Sequence, residues 1–190
     1  MLVAAFLKYL EHEKNYSINT INAYRTDIVA FKDFCVAEFE QEELTTIHYN
    51  QIRTWIVSLV DKQISNRSIN RKVSSLKTFY TFLQKVKEVE VNPLAKHKAL
   101  KVQKKIQAPF DKKEIQQVLA ILNEEVDFES VRNKLIVELL YSTGMRRIEL
   151  INIKEKDIDF SRQLIKVLGK RNKERFVVLL PSILITLNQY

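Results

Sequence analysis

The chain has 190 residues, of which 46% are hydrophobic and 28% charged. This composition is typical of a folded globular protein and excludes a disordered or disulfide-stapled one. No apolar run reaches the length of a membrane span, so we expect a cytoplasmic protein with no membrane anchor. The single cysteine, Cys35, lies among phenylalanines, and this setting favours a buried structural thiol.

The formal net charge of +8 is unevenly distributed along the chain. Residues 62–105 carry 12 Lys or Arg against 2 Asp or Glu, whereas residues 1–61 carry 5 against 9 and residues 106–190 carry 14 against 12. A concentrated basic segment is what a polyanion-binding surface requires. A solvated basic helix face would have the same composition, so charge alone leaves both interpretations open.

Four helices are predicted in residues 1–95, because glycine is nearly absent and apolar residues recur at helical spacing. The first covers residues 2–13, the second follows a Ser17 cap, the third begins near Asn50, and the fourth opens at Ser65 or Asn66. Asn92-Pro93 then closes a four-helix domain. The lysine-rich residues 96–110 lack a helical period, and we interpret them as a basic interdomain linker whose lysines could lie along phosphates.

A second domain is predicted over residues 111–190. Helices are expected over residues 112–124 and 129–142, with Gly144 as a left-handed cap. Alternating apolar residues at 164–167 and 175–179 flank a polar basic turn, which predicts a β-hairpin. Pro181 marks the start of a last helix. The fold class is therefore mainly α, with a helical first domain and an α+β second one.

Two ordered motifs resemble the tyrosine recombinases, specifically the Xer-like phage integrases. They are TGMRRIEL at 143–150 and GKRNKER at 169–175. NTINAYRTDI at 19–28, SINRKVSSLKTFYTFL at 68–83 and NPL at 92–94 are similar to the amino-terminal SAM-like domain of that family. The resemblance implies a helical core-binding domain joined to a catalytic domain, which together close around duplex DNA. It implies no metal, cofactor or small-molecule substrate.

By this resemblance Arg146 is the first catalytic arginine, Glu149 its supporting glutamate and Arg147 an ambiguous neighbour. Guanidinium remains charged and offers a planar donor fork to phosphate oxygens. The family lysine matches Lys170, the general acid for the leaving 5′ oxygen, although Lys173 remains an alternative.

Several side chains are predicted to bind duplex DNA, because Arg and Asn can pair with base edges while Lys and Ser anchor phosphates. A solvated polar face opposite the core would account for the same spacing. These predicted residues are Asn22, Arg25, Arg67, Asn70, Arg71, Lys72, Ser75 and Lys77 in the first domain, with Lys173 and Arg175 in the second.

The family chemistry also requires a His-x-x-Arg box, a further His or Trp and a tyrosine nucleophile after the hairpin, and none is found there. Tyr190 follows the hairpin too soon to match the nucleophile. We therefore expect an apparently truncated recombinase that binds duplex DNA but does not cleave it alone. In the intact family, further helices would normally cover the apolar faces of Leu139, Leu140, Ile183 and Leu187, so exposed patches are expected there.

Two alternatives remain open at this stage. One is a non-catalytic DNA-binding protein that occupies recombination sites. The other is a helical protein with a basic surface and no DNA role. The intact family acts as four protomers on two duplexes, in chromosome-dimer resolution or in mobile-element integration.

Overall fold

A computed structural model describes residues 2–104, 106–124, 127–169 and 173–190. It divides into two compact units, Met1–Lys105 and Ile106–Tyr190, called here the helical unit and the mixed unit. The predicted fold class is confirmed, because the helical unit has no strand among its described residues and the mixed unit combines helices with a small antiparallel sheet. Among the described residues, no helix combines the length and the apolar character needed to cross a bilayer.

The described part of the helical unit contains the four predicted α-helices and a short 3-10 helix, Leu44–Thr46. The α-helices are α1 (Leu2–His12), α2 (Ile18–Phe39), α3 (Tyr49–Asp61) and α4 (Asn66–Lys85). Ser17 and Ser65 cap α2 and α4, each accepting a hydrogen bond from the backbone N–H three residues on. These caps satisfy amides that the first helical turn leaves without a partner.

Aromatic side chains make up much of the helical unit's core. Phe6, Phe31, Trp55 and Tyr80 are almost completely buried, and the Tyr80 hydroxyl donates to the Leu44 carbonyl at 2.9 Å. Cys35 is also buried, as predicted, and burial raises the pKa of its thiol to about 11. The thiol therefore stays protonated and packs as a small apolar group.

After α4 the chain turns back, and residues 92–101, called here the return segment, lie on the helical unit. Leu94 is fully buried, and Leu100 packs against the same core. The predicted linker, residues 96–110, is thus divided: its first part contacts the helical unit, and the unit boundary follows at Lys105.

The described α-helices and strands of the mixed unit are, in chain order, α5 (Lys112–Asn123), α6 (Phe128–Thr143), α7 (Arg147–Ile151), β1 (Ile158–Asp159), β2 (Leu164–Leu168), β3 (Glu174–Val178) and α8 (Pro181–Gln189). A short 3-10 helix, Glu155–Asp157, lies between α7 and β1. Gly144 ends α6 with a φ of 61°, which confirms the predicted left-handed cap. The predicted hairpin is also confirmed, since β2 and β3 pair antiparallel with Lys166 opposite Phe176.

The second core lies between α6, α8 and the sheet. Its buried residues include Leu139, Met145, Ile165 and Ile183. Leu139 is 3% exposed and Ile183 only 1% exposed. The expectation of missing cover is therefore wrong for these two side chains, because α6 packs against α8 and both residues lie between them and the sheet. Leu140 and Leu187 are only partly buried.

Candidate functional site

The candidate site is centred on Glu149, whose side chain is only 1% exposed. The chain reaches it through the Gly144 turn and the buried Met145, which fix the start of α7. Arg146 is the N-cap residue, and its backbone N–H donates to Glu149 Oε2 at 2.9 Å. The carboxylate three residues into the helix thereby caps the helix start and fixes the position of its own side chain.

Two guanidinium groups converge on this carboxylate. Arg146 Nη1 donates to Glu149 Oε1 at 2.8 Å. Arg175, on β3, donates to both carboxylate oxygens, at 2.9 Å from Nη1 and 2.7 Å from Nη2. A planar fork bonded to two oxygens has a defined orientation, which a lysine ammonium in its place would lack.

The two arginines shift the ionisation of the carboxyl. Hydrogen bonds from the Arg175 side chain, and next from the Arg146 backbone, hold the pKa of Glu149 far below its ordinary value, although burial opposes them. The same contact raises the pKa of Arg175. Glu149 therefore stays charged at neutral pH, and one negative charge faces two positive ones. The cluster retains a net positive charge that can bind an anion.

The arginines of this cluster remain accessible. The side chain of Arg146 is 65% exposed and that of Arg175 is 40% exposed. Arg147, the ambiguous neighbour, is exposed and forms no ion pair among the described residues. Arg146 is therefore the arginine of the motif that joins the cluster.

Gly169 allows the hairpin to approach the cluster closely. A Cβ atom at this position would lie 3.3 Å from Arg175 Nη1 and 3.4 Å from Glu149 Oε1. Its N–H donates to the Lys173 carbonyl at 2.7 Å, which closes the base of the turn. Lys170, the predicted general acid, follows Gly169 directly in sequence and lies outside the described residues. Lys173, the alternative, is exposed.

A second buried carboxylate, Asp27, lies in the helical unit. Arg71 donates to both of its oxygens, at 2.6 and 3.0 Å, and Lys72 donates at 3.0 Å. The Ser75 hydroxyl adds a bond of 2.8 Å. Sequence reasoning missed this residue, although one signal was available: Asp27 is next to Ile28 and four residues before Phe31, on the apolar stripe of α2.

Of the DNA-binding residues predicted in the second domain, Arg175 bonds to Glu149 and Lys173 is exposed. The eight predicted in the first domain fall into two groups. Arg71, Lys72 and Ser75 bond to Asp27, and Asn70 bonds to the Leu100 backbone. The other four are exposed and form no ion pair among the described residues: Asn22, Arg25, Arg67 and Lys77. Among residues 2–104, 106–124, 127–169 and 173–190, no group of three His, Cys, Asp or Glu side chains is placed to hold a metal ion.

Comparison with known proteins gives concordant matches in both units. Residues 3–87 match the family described as phage integrase, N-terminal SAM-like domain, and residues 109–190 match the phage integrase family. The tyrosine recombinase XerC of Staphylococcus aureus strain USA300 / TCH1516 is 36% identical over 173 residues, which cover 91% of this chain. XerC of strain MSSA476 is equally similar. The chain spans 57% of the length of these curated relatives.

Two solved structures share the fold. The Tn1549 transposon integrase in complex with transposon right end DNA matches with a TM-score of 0.77 at 16% identity, over 99% of this chain and 64% of that one. A λ integrase dimer bound to a COC′ core site matches with a TM-score of 0.71 at 18% identity, over 99% and 67%.

Proposed function

Because the chain belongs to the tyrosine recombinase family, we propose that it contributes a duplex-binding domain and part of the phosphate-activating site to a site-specific DNA recombinase. The observation that carries this proposal is the cluster of Arg146, Glu149 and Arg175. Its two guanidinium groups are held by one buried carboxylate while both remain accessible.

In the proposed reaction, Arg146 donates to the oxygens of the scissile phosphate. A tyrosine hydroxyl of the complete site attacks phosphorus, the bond to the 5′ oxygen breaks, and a 3′ phosphotyrosine forms. The guanidinium stabilises the charge that develops on the phosphate oxygens, and Glu149 keeps it oriented before the substrate arrives. Arg175 fills the other side of the carboxylate, so Glu149 cannot swing away without losing two hydrogen bonds.

Lys170 is proposed to give its proton to the leaving 5′ oxygen. Support comes from the neighbouring Gly169, which lies against the arginine cluster. Lys170 directly follows this glycine in the sequence, and we propose that its ammonium donates to the leaving oxygen of a phosphate bound by Arg146. We further propose that recombination involves four protomers on two duplexes, as the family resemblance implies. A polypeptide of these 190 residues is proposed to bind duplex DNA without cleaving it, because it contains no His-x-x-Arg box.

Duplex binding tests the first part of this proposal. A salt titration compares a duplex carrying a Xer-like recombination site with a scrambled duplex of equal length. We expect affinity to fall steeply with salt and to favour the site. Arg67→Ala and Arg25→Ala are suitable variants, because neither side chain forms an ion pair within the described residues. Equal, weak binding to both duplexes would contradict site recognition by this chain.

The role of Arg146 is tested with Arg146→Ala in the same titration. The salt slope is the steepness with which the logarithm of the affinity falls with the logarithm of the salt concentration. Loss of one phosphate contact should lower it by roughly 1. Arg162→Ala is the matched control, because Arg162 is also an exposed arginine of the mixed unit and pairs with a carboxylate three residues away. An equal change in both variants would mean that Arg146 acts only as a general surface charge.

A separate experiment tests the proposed lack of cleavage. Incubation with a nicked site duplex should yield no covalent protein–DNA adduct, and an adduct would contradict the proposal.

A further inference from the structure

The return segment runs antiparallel along α4. Asn92 donates to the Lys77 carbonyl, Leu100 bonds to Asn70, and the Lys101 carbonyl accepts from Asn66. As the segment advances, its partners therefore move back toward the start of α4. Leu94 and Leu100 attach it to the core between these polar contacts.

The Asn70 amide makes a reciprocal pair of bonds with one backbone position. Its Nδ2 donates to the Leu100 carbonyl at 2.9 Å, and its Oδ1 accepts from the Leu100 N–H at 2.9 Å. The side chain thereby acts as a short strand edge for a segment that has no strand partner. With its oxygen and one N–H engaged in this pair, the paired contact with a purine edge predicted for Asn70 is not available.

The segment held in this way is strongly basic. Lys96, Lys98 and Lys101 are all exposed. Arg67, also exposed, directly follows Asn66, which bonds to the Lys101 carbonyl. Asn66 and Asn70 therefore hold the backbone of a lysine-bearing segment against the helix that carries Arg67. Fixing lysines before binding lowers the entropy lost when they contact phosphates.

We propose that Asn70 is a positioning residue: by holding the Leu100 backbone against α4, it places Lys98 and Lys101 to bind the phosphates of duplex DNA. This inference rests on the proposed function. It gives Asn70 an effect on affinity that is independent of base sequence, in contrast to the base-reading role expected from its type.

Hydrogen exchange tests the positioning step without DNA. The Leu100 amide is expected to be protected in the wild-type chain and to exchange much faster in Asn70→Ala. Asn22→Ala is the control, because Asn22 is an exposed asparagine of the same unit whose side chain is bonded to no part of the return segment. A Leu100 amide that stays protected in Asn70→Ala would overturn the inference, whatever the DNA measurements show.

DNA binding tests the consequence through a double-mutant cycle. Lys98→Ala/Lys101→Ala should lower the salt slope by roughly 2, and Asn70→Ala should lower it by up to the same amount. Asn70→Ala should weaken binding to the site duplex and to the scrambled duplex by the same factor. In the background without the two lysines, it should have almost no further effect.

Each remaining outcome distinguishes this inference from the function on which it rests. One outcome is that the wild-type chain binds the duplex while Asn70→Ala has its full effect in the Lys98→Ala/Lys101→Ala background. That result would overturn this inference alone, since Asn70 would then act directly. Loss of amide protection with unchanged DNA affinity would also overturn it. A wild-type chain that binds no duplex at low salt would overturn the proposed function and this inference together. Far-UV circular dichroism of every variant checks that the helices are retained.

Discussion

Asp27 in the helical unit and Glu149 in the mixed unit are both buried carboxylates that hold two cationic side chains. Each accepts a bidentate arginine, Arg71 for Asp27 and Arg175 for Glu149. Each also binds a second cation and one further hydrogen-bond donor. A buried charge is tolerated only when it is paired and hydrogen-bonded in this manner.

The two clusters differ in the origin of their partners. All three donors to Asp27 come from α4, 44 to 48 residues away along the chain. Arg146, in contrast, is three residues from Glu149 and belongs to the same motif. The Asp27 cluster therefore joins two long helices, while the Glu149 cluster orients an accessible guanidinium. Similar chemistry thus has a mainly structural effect in one unit and a mainly positioning effect in the other.

The largest expected effect is that of Asp27→Ala on the helical unit. Removing the carboxylate leaves Arg71, Lys72 and Ser75 without their shared acceptor, which should lower the free energy of unfolding by about 3 kcal/mol. Urea denaturation followed by Trp55 fluorescence measures this change, because Trp55 is the single tryptophan and is buried in this unit. Asp33→Ala, at an exposed position of α2, should leave the transition almost unchanged. Equal effects of the two substitutions would contradict the structural role of Asp27.

Glu149→Gln should have a smaller effect on folding and a clear effect on the arginines. The amide can still accept from the Arg146 backbone, but it carries no charge to hold two guanidinium groups. We expect the side-chain Nε resonances of Arg146 and Arg175 to be dispersed in the wild-type NMR spectrum and to approach free-arginine positions in the variant. Glu129→Gln, at an exposed position of α6, is the control and should leave both signals in place. Unchanged arginine signals in Glu149→Gln would mean that other contacts orient them.

Acidification should affect the mixed unit through Glu149. Its pKa in the folded state is lowered from the ordinary 4.5, so the unfolded chain takes up this proton first as the pH falls. The stabilisation is complete above about pH 4.5 and is lost as the pH falls toward the lowered pKa. Hydrogen exchange of the β2 amides, measured from about pH 5 to about pH 3, gives the free energy of opening at each pH. In Glu149→Gln this free energy should change less steeply with pH than in the wild-type chain, and the difference in slope should correspond to at most one bound proton. Identical profiles would exclude Glu149 as the source.

The smallest expected effects concern the two glycines. Gly144 has open space around it but a positive φ, so Gly144→Ala should cost about 1 kcal/mol of stability through backbone strain. Gly169→Ala would instead place a methyl group 3.2 Å from the Lys173 carbonyl and 3.3 Å from Arg175. We expect Gly169→Ala to shift the Arg175 Nε resonance with little loss of stability. Gly144→Ala should lower the stability and leave that resonance in place. Thermal denaturation and the arginine spectra distinguish the two effects.

Local patterns in the sequence were enough to predict the longer helices, the Ser17 cap, the glycine cap and the hairpin, while the start of α4 stayed open between Ser65 and Asn66. Each depends on residues within a few positions of one another, so periodicity and capping chemistry identify them. The motif that contains Arg146 and Glu149 was identified through its resemblance to the tyrosine recombinases, and its two residues are one helical turn apart. The two-residue strand β1 and the short helix α7 are too brief to show a period.

Only the tertiary structure decided which polar residues are engaged inside the protein. The sequence presents Asn70, Arg71, Lys72 and Ser75 as one polar stretch of α4 that can bind DNA. Packing of α2 and the return segment against that helix directs three of them to Asp27 and one to the Leu100 backbone. These partners are 30 to 48 residues away, and no local spacing rule reaches that far. A buried acceptor binds the nearest donors because leaving it unpaired costs more than any single surface contact contributes.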